Sequence, residues 1–265
     1  MAKIKIGNFT IGDNNPCFTI AEAGANHDSD VHKAFRLIDA AKEANADSIK
    51  FQTYKASKLT TKTAPKYWDD GKKDETQYDV FKKLDGLTND NWKEIFDYAK
   101  NKRIMCFSTP FDNDSVDLLY SFDVPAFKIA SADITHIPLI NYVASKKLPI
   151  FLSTGLSNLS EIDTAIRTIE GTGNRQIVIL HCVAMYPTSD NQVNLRNIDT
   201  LSKIYPYPVG FSDHNIGWSI SFGAVVMGAN VIERHFRDPR NATSPDDIVA
   251  LDKEQFSLFY FSVTK

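Results

Sequence analysis

The chain is poor in the features that would send it out of the cell, into a membrane or onto nucleic acid. Only three cysteines occur in 265 residues, and Cys17, Cys106 and Cys182 lack Cys-x-x-Cys spacing. An odd, scattered set argues against a disulfide framework or a zinc cluster. Each lies in or beside an apolar run and reads as a small buried residue. No run of 18 apolar residues is present, and Met1 to Ile11 alternates apolar with polar instead of building a secretory core. The expected compartment is the cytoplasm, with no membrane partner. A net charge of −3 gives no electrostatic reason to expect nucleic acid either. With 43% hydrophobic residues the chain can form a sizeable core, which leaves small molecules and a second copy of the chain as the expected partners.

What the sequence does have is one pattern repeated. Apolar, strand-like runs end abruptly in polar residues: Glu22 after Phe18-Thr19-Ile20, Lys50 and Gln52 after Asp47-Ser48-Ile49, and Ser108-Thr109 after Ile104-Met105-Cys106-Phe107. Lys128 and Ser131 end the next run, then Ser153, then His181-Cys182. Ser212-Asp213-His214 and Glu233-Arg234-His235 close the series, making eight such ends. Between them, apolar residues recur at spacings of three and four, the period of helices with one buried face. Val31, Ala34, Phe35, Ile38 and Ala41 mark the first helix, with Asp28 or Ser29 as its cap. Trp92, Ile95, Phe96 and Ala99 mark a later one, and Phe256, Phe259, Tyr260 and Val263 the last.

Strand and helix alternating eight times predict an α/β fold, a (β/α)8 TIM barrel with its functional groups at the carboxyl ends of the strands. Such barrels take about 250 residues, so residues 1–265 form a single domain. Residues 1–16 hold a β-hairpin turning at Gly7-Asn8, expected to plug the amino-terminal end of the barrel. Residues 55–85 interrupt the rhythm as a long rim insertion, with a short helix expected around Gln77 to Leu84 and Tyr67, Trp68 and Tyr78 available to fold it back.

His214 and His235, on adjacent strands about 4.8 Å apart, would be close neighbours. With Glu233 and Asp213 beside them they suit a divalent transition metal with positions left for water; the plainer alternative is that each imidazole merely caps its strand. Lys50 and Lys128, with Thr109, Ser131 and Ser153, suit a phosphate or carboxylate. Either lysine is also a candidate Schiff-base nucleophile, or the partner of an interior carboxylate. Glu22 is placed to bind sugar hydroxyls or to transfer a proton. Asn26 and His27 are ambiguous.

The ordered strings Ala21-Glu22-Ala23-Gly24-Ala25-Asn26-His27, Ile49-Lys50-Phe51-Gln52-Thr53-Tyr54, Phe107-Ser108-Thr109-Pro110-Phe111-Asp112, Pro125 to Ser131, Leu152-Ser153-Thr154-Gly155, Leu180-His181-Cys182, Gly210 to His214 and Ile232 to Phe236 resemble the sialic acid synthase family. That family includes the legionaminic and pseudaminic acid synthases and the spore coat polysaccharide synthases. Its members condense phosphoenolpyruvate with an N-acetylated mannosamine or a related hexosamine to a nine-carbon ulosonic acid.

The resemblance implies that Lys50, Thr109, Lys128, Ser131 and Ser153 hold phosphoenolpyruvate, with Gln52 in support. It implies that Glu22 holds the amino sugar, that Tyr186 and Ser212 line the substrate pocket, and that His214 and His235 bind a metal, usually manganese. Glu233 would order the water, which makes Glu22, Lys50, Lys128 and Glu233 the catalytic set. A homodimer is also implied.

Departures from the family pattern fall on the acceptor side. Where relatives carry an Asn shortly before Tyr-Pro, this chain has Ala184 and Met185, and Thr243-Ser244-Pro245-Asp246-Asp247 stands where they have Gly-Pro-Asp, with Pro245 and Asp246 kept. The resemblance implies a small antifreeze-like domain after the barrel, and the sequence given, which ends at Lys265, is expected to be either a barrel-only variant or a shortened form. The phosphoenolpyruvate and metal half is therefore expected to be better preserved than the acceptor half. A Schiff-base aldolase and a barrel that binds a phosphorylated metabolite without turnover are the alternatives.

Overall fold

Inward and outward positions alternate along each strand of a barrel, so a strand buried on both faces reads as a continuous apolar run until it reaches the rim. The computed structural model, described for residues 3–66, 68, 74–238, 240 and 245–264, follows that rule around its circumference. A hairpin of β1 (Ile4–Ile6) and β2 (Phe9–Ile11) comes first, then β3 (Phe18–Gly24), α1 (Val31–Glu43), β4 (Ser48–Thr53), α2 (Ala56–Leu59), α3 (Gln77–Leu84) and α4 (Asn89–Lys102). The chain continues through β5 (Met105–Pro110), α5 (Asn113–Ser121), β6 (Phe127–Ile129), α6 (Ile137–Ser145), β7 (Ile150–Ser153) and α7 (Leu159–Gly171). It ends with β8 (Ile177–Cys182), α8 (Arg196–Ile204), β9 (Val209–Asp213), α9 (Ser219–Val226), β10 (Val231–His235) and α10 (Lys253–Val263). Strands β3 to β10 pair in parallel in sequence order, and β10 returns to β3 to close the barrel.

The apolar residues divide into two cores. Outward strand residues such as Ala21, Ile49, Ile179 and Ile232 pack against the inner faces of the helices, including Leu37, Ile95, Val143 and Phe256. Inward residues Phe18, Ile20, Phe107, Phe151, Val178, Leu180 and Val231 pack with Ile4, Ile6 and Ile11 of the hairpin. The hairpin thus seals the amino-terminal floor as its alternation predicts, with Ile4 opposite Ile11. Phe151 lies at the centre of this plug, stacked at 5.2 Å on Phe107 and 6.2 Å on Phe18. Glycine is required where β9 meets β10: a Cβ on Gly210 would lie 2.5 Å from the Val231 carbonyl oxygen.

Two local expectations need correction. The cap of α1 is Asp30, whose side chain accepts from the backbone amides of His32 and Lys33. Asp28 instead pairs with Lys33, and Ser29 ties the first barrel loop to the insertion by donating to Lys83 O and accepting from Gly86 N. Both have positive φ, which rules them out as the extended residue a cap requires. In the insertion, α3 matches the expected helix, whereas the single turn α2 was not foreseen. The aromatic fold-back runs through Phe81, which lies 5.8 Å from Tyr54 and 6.0 Å from Trp68; Tyr67 lies outside the described residues. No described helix is long and apolar enough to cross a membrane.

Candidate active site

The alternation that fills the floor with Phe and Ile delivers charge two to four residues later on the same inward face. Ile20 is followed by Glu22, Phe107 by Thr109, Ala126 by Lys128, Phe151 by Ser153, and Val231 by Glu233 and His235. Glu22, Lys50, Lys128 and Glu233 are 1%, 2%, 3% and 4% exposed, so each must find its partners among the others. Lys50 Nζ lies 2.5 Å from Glu22 Oε2 and 3.6 Å from Glu233 Oε2, and donates to Thr109 Oγ1 at 3.1 Å. Gln52 Nε2 donates to Glu22 Oε1 at 3.1 Å. Lys128 Nζ lies 3.7 Å from Glu233 Oε1 and donates to its neighbour's carbonyl, Ile129 O, at 3.1 Å. Ser212 Oγ donates to Glu233 Oε1 at 2.8 Å.

Burial and neighbours pull these groups apart in acidity. Burial raises Glu22 to about 7 against the pull of Lys50 and with the push of Glu233. Burial also opposes ionisation of Glu233, but Lys128 and Lys50 outweigh it and hold that carboxyl below its usual range. Lys50 is lowered by burial but carried above its ordinary value by Glu22 and Glu233. Lys128 falls below, because burial exceeds the help of Glu233. Two carboxyls with opposite shifts and two ammonium groups with opposite shifts share one enclosure, a common property of catalytic sites.

The hydroxyl groups complete this half. Ser153 Oγ is buried with no hydrogen-bond partner among the described residues. Ser131 Oγ accepts from the amide of Gly155 at 3.0 Å, an approach that a Cβ on Gly155 would block at 2.8 Å. The glycine of Ser-Thr-Gly therefore brings the end of β7 onto the turn after β6.

Next to the carboxylates, with His235 two residues beyond Glu233 on the same strand and in register with Glu22, the rings of His214 and His235 stand 5.3 Å apart. Tyr186 is stacked on His214 at 4.0 Å and edge-on to His235 at 5.5 Å. His214 Nδ1 lies 2.8 Å from Val183 O, which makes that nitrogen the N–H donor and leaves the lone pair on Nε2, 3.0 Å from the Tyr186 hydroxyl. Burial opposes a charge on His214, but Cys182, 3.9 Å from Nδ1, and the Val183 carbonyl raise its pKa. Burial, with His214 next, drives His235 well below the ordinary value, so it is neutral. Its Nδ1 lies 3.3 Å from Asp246 Oδ2, a carboxyl that burial pushes up to about 6.

A hydrogen bond from one ring nitrogen to a backbone carbonyl, with the other nitrogen's lone pair turned into the site, is the arrangement of metal-binding histidines. His214 has that arrangement, and with the His235 ring 5.3 Å away it could hold a divalent cation. Among the described residues no three His, Cys, Asp or Glu side chains form a ready-made metal cage.

Several sequence expectations are revised. Asp213 does not join the histidines: it lies on the outer face of β9, fully buried, 2.8 Å from Arg234 of β10. His181 also faces outward, with Nε2 2.6 Å from Val193 O. His27 packs on Trp92 and Phe51, and Asn26 Nδ2 donates to Phe236 O. Cys182 was read as a plain buried residue but lines the site beside His214. Asp246, kept from the relatives' Gly-Pro-Asp, is brought beside His235 by the loop that follows β10, a role no strand or helix spacing points to.

A closed barrel that gathers lysines, carboxylates and paired imidazoles at its carboxyl rim has the layout of a (β/α)8 barrel with its functional groups at the strand ends. The NeuB family profile matches residues 37–265, and the chain belongs to that family. It is 40% identical over 251 residues to the N,N'-diacetyllegionaminic acid synthase of Legionella pneumophila, covering 92% of this chain and 70% of that one. It is 39% identical over 257 residues to the spore coat polysaccharide biosynthesis protein SpsE of Bacillus subtilis, covering 96% and 69%. The solved N-acetylneuraminic acid synthetase of Leptospira borgpetersenii, in complex with citrate, superposes with a TM-score of 0.89 at 33% identity, over 99% of this chain and 87% of that one.

Proposed function

We propose that this protein condenses phosphoenolpyruvate with an N-acetylated hexosamine to give a nine-carbon ulosonic acid and phosphate, using a divalent cation, manganese by family resemblance, held by His214 and His235. The observation that carries this reading is the array of Lys50, Lys128, Glu22 and Glu233 on inward rim positions beside the paired imidazoles, with Glu22 in register with His235 on the neighbouring strand.

In this reading Lys50 and Lys128 face the phosphate and carboxylate of phosphoenolpyruvate, and Thr109, Ser131 and the unpartnered Ser153 hydroxyl donate to its oxygens. Glu22, steadied by Gln52, holds hydroxyls of the open-chain sugar, and Tyr186 closes over the same half. When bound, the cation polarises the sugar aldehyde and positions water. The methylene carbon of phosphoenolpyruvate forms the new C–C bond to the aldehyde carbon, whose oxygen takes a proton and becomes a hydroxyl, and the phosphate-bearing enol carbon is left as an oxocarbenium centre. Glu233, fixed by Ser212 and held ionised by both lysines, accepts a hydrogen bond from the water that adds to the former enol carbon. Loss of phosphate by C–O cleavage then leaves a ketone oxygen supplied by that water. The lysines carry the phosphate charge from substrate to product.

Phosphate release from phosphoenolpyruvate with manganese and a panel of N-acetylated hexosamines tests this directly, beside His214→Ala. Release that needs both a sugar and His214 supports it. Binding of phosphoenolpyruvate without release for any sugar would move the reading to a binding barrel without turnover. The lowered pKa of Lys128 favours one other reading, a Schiff-base aldolase; borohydride trapping of a carbonyl substrate on Lys128 would establish that instead.

A further inference from the structure

The residues behind the two histidines form a continuous buried network of their own. Strands β9 and β10 pair with Ser212 opposite Glu233 and Asp213 opposite Arg234. Alternation sends the first pair into the barrel and the second to its outer face, where Arg234 and Asp213 are both completely buried. A charge so placed is costly unless every partner is in position, and an apolar pair would pack there as well, so its value lies in the geometry it imposes. That geometry is extensive. Arg234 lies 2.8 Å from Asp213 Oδ2, and its Nη2 donates to Asn215 O at 2.9 Å and to Val249 O at 3.0 Å. Asp213 is held in turn by Ser221 Oγ of α9 and by the amide of Asn215.

Each carbonyl that Arg234 grips belongs to a different rim segment. Asn215 Nδ2 donates to Thr188 O at 2.8 Å and to Asp190 Oδ1 at 3.1 Å, and Thr188 N donates to His214 O at 2.9 Å. This anchors the loop that carries Tyr186 over His214. Val249 follows the turn that carries Asp246, and Leu251 N donates to His235 O at 2.8 Å, which anchors Asp246 against His235. One planar guanidinium thus fastens both loops that contact the imidazoles. A lysine ammonium, a single point on a flexible stem, cannot span the same three acceptors.

We propose that Arg234 is a positioning residue that fixes the Tyr186 and Asp246 segments against His214 and His235, and so sets the cation half of the site without touching the lysine half. The ligand part of the test rests on the proposed function; the structural part does not. Arg234→Lys, and Asp213→Asn as a second variant, are compared with wild type by hydrogen–deuterium exchange, and by calorimetry with manganese and with phosphoenolpyruvate separately. Exchange in residues 183–192 and 245–251 should rise at least tenfold while α1 to α7 and the hairpin stay unchanged. Manganese affinity should fall at least tenfold and phosphoenolpyruvate affinity stay within twofold.

Unchanged exchange, a uniform rise across the barrel, or failure of both variants to fold would overturn the inference. So would loosened segments with unaltered manganese affinity. Wild-type protein that binds no manganese would count against the metal reading of the histidines, and the exchange pattern would still decide the role of Arg234.

Discussion

The hydroxyl of Tyr186 occupies the lone pair of His214 Nε2 at 3.0 Å, the position through which that imidazole would meet a cation. Binding of manganese to His214 has to displace this hydrogen bond, worth about 1 kcal/mol net. Tyr186→Phe keeps the stacked ring and removes the competitor. Manganese should bind this variant about fivefold more tightly by calorimetry. Weaker binding would instead make the hydroxyl a support of the metal site.

Lys50 bridges Glu22 and Glu233 and touches Thr109. Lys50→Met should lower kcat/KM for phosphoenolpyruvate by about 100- to 1,000-fold, as loss of a preorganised charge does. Retention of near wild-type turnover would remove Lys50 from the phosphate half.

The floor gives a stability prediction independent of function. Phe151→Ala leaves a cavity between Phe107, Phe18 and the hairpin, and should cost about 3–5 kcal/mol in urea unfolding. A loss under 1 kcal/mol would show that the plug contributes little. Gly210→Ala tests the other tight contact. Its Cβ meets backbone of β10, which cannot swing aside like a side-chain tip, and a destabilisation of about 1–3 kcal/mol is expected from overpacking.

Asp238 supplies a pH signature. Hydrogen bonds from Arg240, aided by Arg36, lower its pKa to about 2 in the folded chain. A depressed carboxyl stabilises the fold above its unfolded pKa of about 3.9 and loses that contribution as pH falls through the folded value. Asp238→Asn should therefore cost about 1 kcal/mol at pH 6, the figure allowing for solvent screening around the exposed Arg240. The gap to wild type in urea midpoints should narrow from pH 4 toward pH 2. A gap that stayed constant would mean that packing, not charge, explains it.

How much of this was legible beforehand follows from what a one-dimensional pattern encodes. The eight strands were readable because each apolar run breaks at the rim, and the inward residues Glu22, Lys50, Lys128, Ser153, His214, Glu233 and His235 were readable because they stand at those breaks. Asp213 was misplaced because adjacent rim residues look alike in sequence while alternation sends them to opposite faces. The cap of α1 moved from Asp28 or Ser29 to Asp30 because three small polar residues in a row offer the same chemistry and only backbone φ separates them. Cys182 and Asp246 became visible as site residues only through contacts across strands or from a returning loop.

The hairpin closes one end of the barrel with Ile4, Ile6 and Ile11, and that closure governs traffic as well as stability. With that end packed among the described residues, approach to the interior carboxylates and ammonium groups is from the carboxyl rim. Under the proposed condensation both reactants and both products would use that same rim, and initial-rate kinetics would show whether they bind in a fixed order.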